Sequence, residues 1–128
     1  RLMLALKNVL AQADHIPTLI FDEIDQGIGG RVGFVVGEKM WHLARCHQVM
    51  CVTHLSQLAA FGDEHYKVEK QVVDERTITN VTRLDGEQRI YELALMNGNA
   101  SDSNLAAARE ILQRANGRQA SVEPIPDN

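Results

Sequence analysis

The 128-residue chain has few of the features that would assign it to a specialised class of protein. Its formal net charge is −4, so it has no general basic field, and nucleic-acid binding by this piece alone is not expected. No stretch approaches the roughly 18 uninterrupted apolar residues of a membrane span, and the first residues lack a signal-peptide pattern. We therefore expect a cytoplasmic protein with no membrane partner.

Cysteine is scarce as well, with two residues in the chain. Cys46 and Cys51 lie near His47 and His54, but their spacing is not the C-x-x-C of common zinc and redox sites. Cys51 also lies within an apolar run, where a small buried thiol is ordinary core filling. The pattern therefore does not favour a zinc site.

No phosphate-binding or nucleophile motif is complete. The glycines between residues 27 and 37 do not fit G-x-G-x-x-G, and G-x-x-x-x-G-K-[ST] fails because no lysine follows Gly37 directly. The hydrolase motif G-x-S-x-G is absent too. We interpret Gly29 and Gly30 as a tight turn or a close backbone approach to a partner, and Gly33 with Gly37 as positions of close helix packing.

The most informative stretch that is present runs from residue 18 to residue 30 and reads Thr-Leu-Ile-Phe-Asp-Glu-Ile-Asp-Gln-Gly-Ile-Gly-Gly. Its apolar start is typical of a strand buried on both faces of a parallel sheet, and it ends at Asp22 and Glu23. In open α/β sheets ligands bind at that strand end, and an Asp there commonly holds Mg²⁺ beside phosphates. A third carboxylate, at Asp25, adds repulsion that a metal-phosphate site would compensate.

Hydrophobic periodicity and turn signals divide the rest of the chain into alternating helices and strands. The predicted elements are a helix from Arg1 to about Ala13, the acid-ended strand, a helix from Gly30 to about Cys46, a strand Gln48–Thr53, a short helix Leu55–Phe61, a hairpin of His65–Val73 and Arg76–Leu84, and helices Gly86–Leu95 and Ser103–Ala115. The two apolar strands and the helix between them form a βαβ unit, so they should be parallel. We predict one α/β domain over residues 1–116 and a disordered tail over 117–128.

His54 follows the second apolar strand directly. If the two strands are neighbours, His54 lies on the same edge of the sheet as Asp22 and Glu23 and can donate to a phosphate oxygen. A histidine at a strand end is more often structural when it stands alone, and its coincidence with the acidic strand end favours the functional interpretation.

Three stretches read in order carry a family resemblance. They are the segment 18–30, Val-Thr-His-Leu-Ser-Gln-Leu-Ala-Ala from residue 52, and Gly-Asp-Glu-His-Tyr-Lys-Val-Glu-Lys from residue 62. With them the chain resembles the C-terminal part of the RecN family, bacterial SMC-like DNA-repair ATPases, over residues 1 to about 115. The resemblance implies the C-terminal lobe of an ABC/SMC-type ATPase head, in which parallel core strands and a crossover helix are followed by a β-hairpin and C-terminal helices.

The resemblance also implies roles for individual residues. Asp22 would be the Walker B carboxylate that binds Mg²⁺ through water, Glu23 the catalytic carboxylate that polarises the attacking water, and His54 the switch histidine that contacts the γ-phosphate of ATP. Residues 25–30 would be the D-loop region at the interface of two heads. The nucleotide-binding residues implied are Asp22, Asp25, Gly27, Gly29 and Gly30.

In the intact protein, as the resemblance implies, ATP and Mg²⁺ are held between two heads of a homodimer that acts on DNA at the nucleoid in double-strand-break repair and recombination. This chain would need the Walker A half of its own head as a partner, and we expect it to be inactive alone. Gln26 and Gly29 stand where small hydroxyl residues are expected in the family. The competing hypothesis is a non-catalytic α/β interaction module whose acidic turn binds a cation or a partner.

Overall fold

The computed structural model describes residues 17–121, which form four strands and four helices. In chain order they are β1 (Thr18–Asp22), α1 (Gly30–Ala44), β2 (Gln48–Val52), α2 (Ser56–Ala59), β3 (His65–Val73), β4 (Arg76–Leu84), α3 (Gly86–Met96) and α4 (Asp102–Ala120). The helix expected from Arg1 to about Ala13 lies outside the described residues. The α/β class and the order of the elements within the described range are as predicted.

Strands β1 and β2 form a parallel pair joined by α1. Their register runs from Thr18 opposite Gln48 to Asp22 opposite Val52. The predicted βαβ unit is therefore confirmed. Because the strands are parallel and in register, the residues that follow Asp22 and Val52 leave the sheet at the same edge.

One face of this strand pair is packed against α1. Phe21 is 2% exposed and lies in a cluster with Met40 and Leu43 of α1. On the other face Ile20 is 64% exposed and Val52 is 62% exposed. The expectation that the strand is buried on both faces was wrong for the described structure, because alternate side chains of a strand point to opposite faces and α1 covers one of them.

Strands β3 and β4 form the predicted antiparallel hairpin, with the predicted bounds. Asp74 and Glu75 connect them, both with a left-handed backbone at φ 49° and 62°. Two consecutive left-handed residues are what a two-residue hairpin turn of type I′ requires. The hairpin forms a two-stranded sheet of its own and does not extend the β1–β2 pair.

A second cluster of buried side chains joins the helices. Its buried members come from α1, from the α2 region, and from α3 and α4: Phe34, Ala60, Phe61, Leu93, Ala94, Ala108 and Ala115. The end of α2 is held by Arg89, whose Nη2 donates to the carbonyl oxygens of Ala59, Ala60 and Gly62 at 3.2, 3.1 and 2.7 Å. These bonds occupy carbonyls that a helix end leaves unpaired.

Helix α4 is longer than predicted. It begins after Ser101, whose Oγ accepts a hydrogen bond from the Asn104 amide, and it continues through Gly117 to Ala120. The prediction of a disordered tail over residues 117–128 was therefore wrong for residues 117–120, which are helical. Residues 122–128 lie outside the described range. Contacts with the rest of the fold explain the extension, because Arg118 forms an ion pair with Glu38 and Gln119 Nε2 donates to the Phe61 carbonyl oxygen at 2.9 Å.

Candidate functional site

The acidic residues at the end of β1 leave the strand in an uncommon backbone conformation. Asp22 is the last residue of the strand and is exposed, and Glu23 follows with φ 53°. A left-handed backbone is unfavourable for a residue with a side chain, by about 1–3 kcal/mol, and such strain is concentrated at functional sites. The Glu23 carboxylate is held from within the turn, because Gln26 Nε2 donates to Glu23 Oε2 at 2.8 Å.

The turn from residue 23 to residue 30 leads directly into α1. Within it the Gln26 amide donates to the Glu23 carbonyl and the Ile28 amide to the Asp25 carbonyl, at 3.4 and 3.2 Å. Gly27 has φ 70°, a conformation in which a larger residue would be strained. Gly29 is the N-terminal cap of α1, and its carbonyl accepts from the amides of the first helical turn.

The glycines of α1 have a separate, structural role. A Cβ at Gly37 would lie 2.4 Å from the Phe61 ring, and a Cβ at Gly33 would lie 3.3 Å from Leu55 Cδ1. The predicted close packing at these two positions is confirmed. A Cβ at Gly30 would lie 3.0 Å from the Gln57 side chain, so this glycine too lies against the α2 segment.

Asp25 is the buried acidic residue of the site, with 2% of its surface exposed. Two donors converge on its Oδ2, the Thr53 hydroxyl and the His54 amide at 2.8 Å, and the ring nitrogen Nδ1 of His54 lies 3.0 Å from the same oxygen. Burial raises the pKa of this carboxyl, but the hydrogen bonds from Thr53 and from the backbone outweigh that effect and leave the pKa below its ordinary value of 3.8. Asp25 therefore carries a negative charge inside the fold at neutral pH.

His54 lies at the edge of the sheet where it was predicted, on the same side as Asp22 and Glu23. Its side chain is 70% exposed although its Nδ1 is in contact with the buried Asp25. Nδ1 is the ring nitrogen that faces Asp25 Oδ2, and Nε2 lies on the other side of the ring. The geometry thus joins the turn after β1 to the residues after β2 through one carboxylate.

Two residues of this site were not among the sequence-based candidates. Thr53 donates to Asp25 and also accepts from the Leu55 amide at 3.0 Å. Gln26, noted in the sequence as a departure from the family pattern, holds the Glu23 carboxylate. Nothing in the local sequence indicated either contact, because Thr53 lies 28 positions from Asp25 and the Gln26 contact depends on the conformation of the turn.

The residues present fit Mg²⁺ better than a transition metal. Between residues 17 and 121 no three His, Cys, Asp or Glu side chains are grouped so that they could hold a metal ion. Mg²⁺ commonly takes one or two carboxylates as ligands, with waters and phosphate oxygens for the rest. The exposed Asp22 can provide such a carboxylate.

Cys46 and Cys51 are free thiols, and burial, together with Asp25 and Asp22, raises the pKa of Cys51 to about 11.

Comparison with known proteins gives the family. No family model matches the chain. The chain is 49% identical over 113 residues to the DNA repair protein RecN of Deinococcus radiodurans, 46% identical over 121 residues to that of Treponema pallidum and 35% identical over 117 residues to that of Bacillus subtilis. This segment belongs to the RecN family. The three matches cover 88%, 93% and 90% of the chain.

The chain spans about a fifth of the length of these RecN proteins, 20%, 21% and 20% respectively, and it matches their C-terminal part. The resemblance drawn from the three sequence stretches is confirmed at the level of the family. Among the described residues no helix is both long enough and apolar enough to cross a membrane.

Proposed function

We propose that the chain supplies one part of the ATP-hydrolysis site of a RecN-type DNA-repair ATPase. The observation that carries the proposal is the arrangement at one sheet edge of an exposed Asp22, a Glu23 in a strained backbone, and a His54 held by a buried acid. The relatives named as DNA repair proteins support the biological setting.

Each residue of the proposed site has one role. Mg²⁺, when bound, neutralises phosphate charge, and the Asp22 carboxylate would hold it through water. The Glu23 carboxylate would orient and polarise the attacking water, with Gln26 fixing its position. His54 would contact the γ-phosphate of ATP, and the exposed residues of the segment 25–30, including Gly27 and Gly29, would face the second head.

The remaining parts of the site would come from other polypeptide regions. The sequence holds no G-x-x-x-x-G-K-[ST] loop, whose backbone amides and lysine grip the phosphates in ATPases of this type. We propose that the Walker A half of the same head and a second head complete the site, that the whole protein binds DNA as a partner, and that the assembly works in the bacterial cytoplasm at the nucleoid.

The proposal is tested by Glu23→Gln in the longer protein that carries this segment. Binding of Mg-ATP should persist, while turnover should fall by a factor of about 10² to 10⁴, the usual contribution of a positioned base. Glu75→Gln is the matched control, because Glu75 is also an exposed glutamate with a left-handed backbone, at φ 62°, but lies in the hairpin turn. Equal turnover in both variants and the unchanged protein would favour the competing function, a non-catalytic module whose acidic turn binds a cation or a partner.

A further inference from the structure

Asp25 differs from the other acids of the strand exit because its carboxylate faces the protein and not the solvent. Asp22 and Glu23 are exposed, whereas Asp25 is 2% exposed. A buried carboxylate is costly unless hydrogen bonds satisfy it, and here the donors come from the segment after β2. Asp25 is therefore unsuited to direct contact with a nucleotide and suited to holding its neighbours.

Two of its three polar contacts, both hydrogen bonds, are structural in character. The Thr53 hydroxyl and the His54 amide fix the course of the chain between β2 and α2, and Thr53 in turn accepts from the Leu55 amide. These bonds alone would justify a buried acid at position 25. The third contact, in which His54 Nδ1 lies 3.0 Å from Asp25 Oδ2, is not needed to fix the backbone.

This third contact bears on which hydrogen-bonding groups His54 offers to its surroundings. Nδ1 faces the Asp25 carboxylate, which favours a hydrogen on Nδ1; Nε2 lies on the other side of the ring, and 70% of the side chain is exposed. A phosphate oxygen is an acceptor, so contact with it requires a hydrogen on Nε2 as well. The ring would then be the imidazolium, with its charge between the Asp25 carboxylate and the phosphate.

We propose that Asp25 is a positioning residue that holds the His54 ring through Nδ1 and presents Nε2 to the terminal phosphate of a bound nucleoside triphosphate. The phosphate part of this inference rests on the proposed ATPase function. The holding of the ring by Asp25 is a property of the chain itself. It links the turn that carries Glu23 to the histidine that would contact the phosphate.

The first test uses ring nitrogen chemical shifts of His54 in the ¹⁵N-labelled chain at a pH where the imidazole is neutral. The hydrogen should lie on Nδ1, whereas free histidine in water favours the tautomer with hydrogen on Nε2. An Nε2–H tautomer in the unchanged chain overturns the proposal.

Two variants separate ring holding from backbone support. Asp25→Asn keeps the size of the side chain but removes its charge, so the preference for Nδ1–H should be lost or strongly reduced. Thr53→Val removes a donor to the same oxygen without touching the ring, so the Nδ1–H tautomer should remain. The same tautomer in Asp25→Asn as in the unchanged chain overturns the proposal.

Turnover in the longer protein tests the consequence for the reaction. Asp25→Asn should lower kcat by a factor of about 10 to 100, the usual effect of losing the partner that orients a functional histidine, with little change in KM for Mg-ATP. In a His54→Ala background the same substitution should cause no further loss, because the two residues act as one unit. Unchanged turnover, or a full additional loss in that background, contradicts the proposal.

The outcomes for the two proposals can be told apart. If Glu23→Gln leaves turnover unchanged, the proposed ATPase function fails, and the nitrogen shifts still decide whether Asp25 holds the ring. If Glu23→Gln abolishes turnover and Asp25→Asn does not lower it, only the inference about Asp25 fails.

Discussion

His65 is a titratable residue at the base of the hairpin, away from the candidate site. In the part of the chain that the structure describes, its Nδ1 is buried without a hydrogen-bond partner. Burial lowers the pKa of His65 below its ordinary value of 6.5; the charge of Arg89 lowers it further, and Glu92 acts in the opposite direction. The folded chain therefore favours the neutral ring.

This preference makes stability depend on pH. Because the pKa is lower in the folded chain than in the unfolded one, the stabilisation is fully present above pH 6.5 and is lost as pH falls from 6.5 through the lower folded value. We expect the free energy of unfolding in urea to be smaller at pH 5.5 than at pH 7.5. His65→Phe, which keeps a ring but cannot titrate, should reduce this difference.

His42→Gln is the control for that experiment, since His42 is exposed on α1. A difference between pH 5.5 and 7.5 that is as large in His65→Phe as in the unchanged chain would show that another group is responsible.

At the same scale of single residues, the sequence predicted which residues stand at the sheet edge better than it predicted their contacts. Asp22, Glu23 and His54 follow from an apolar run that ends in a polar residue, a local pattern. The burial of Asp25 depends on Thr53, 28 positions away, and on the register that brings the two strand ends together. Local patterns carry no information about a contact of that separation.

At the scale of elements, two helical glycines allow the effect of packing on stability to be compared with the effect of intrinsic helix propensity. Gly37 lies in α1, where an added Cβ would be 2.4 Å from the Phe61 ring, while an added Cβ at Gly117 in α4 would have no neighbour within 4 Å. Alanine gains about 0.5–1 kcal/mol over glycine inside a helix, and overpacking costs about 1–3 kcal/mol. The two effects oppose each other at Gly37 but not at Gly117.

We therefore expect Gly37→Ala to lower the free energy of unfolding by about 1–2 kcal/mol, and Gly117→Ala to raise it by about 0.5–1 kcal/mol. Urea titrations monitored by circular dichroism measure both. A stabilising Gly37→Ala would mean that Phe61 moves aside at little cost, and that the close approach of α1 and the α2 segment is not a tight constraint.

The bounds of helices and strands matched the predicted ones where local residues determine them. They differed from the predicted ones where tertiary contacts determine them. The hairpin strands matched at both ends because Asp74 and Glu75 form a turn by themselves. Helix α4 passed Gly117 because Arg118 and Gln119 bind Glu38 and the Phe61 carbonyl, and neither partner is visible in the local pattern. Weak helix preference at a glycine was overridden by these contacts.

At the scale of the whole molecule, the described chain has a packed interior without a complete nucleotide site. One cluster lies between β1 and α1, and another joins α1, α3 and α4. Both lie away from the outer face of the sheet, where Ile20, Met50 and Val52 are 64%, 54% and 62% exposed. The residues proposed for catalysis therefore belong to a packed fold. The phosphate loop that would bind the triphosphate is not in the sequence.

This separation predicts how the isolated chain binds nucleotide. In ATPases that have a phosphate loop, much of the hold on the triphosphate comes from the amides and lysine of that loop, and a single exposed carboxylate such as Asp22 gives Mg²⁺ little more than water does. We expect the 128-residue chain to bind Mg-ATP with a Kd weaker than about 1 mM, at most 4 kcal/mol of binding free energy, and to show no measurable hydrolysis.

Isothermal titration calorimetry of the purified chain with Mg-ATP measures this directly, and Asp22→Asn provides the control. If binding is as weak as expected, the isotherms of the unchanged chain and of Asp22→Asn should coincide. Saturable micromolar binding that Asp22→Asn abolishes would mean that the sheet edge alone holds the metal and the phosphates. The division of labour proposed between this segment and the Walker A half would then be wrong, even though the roles of Glu23 and His54 could stand.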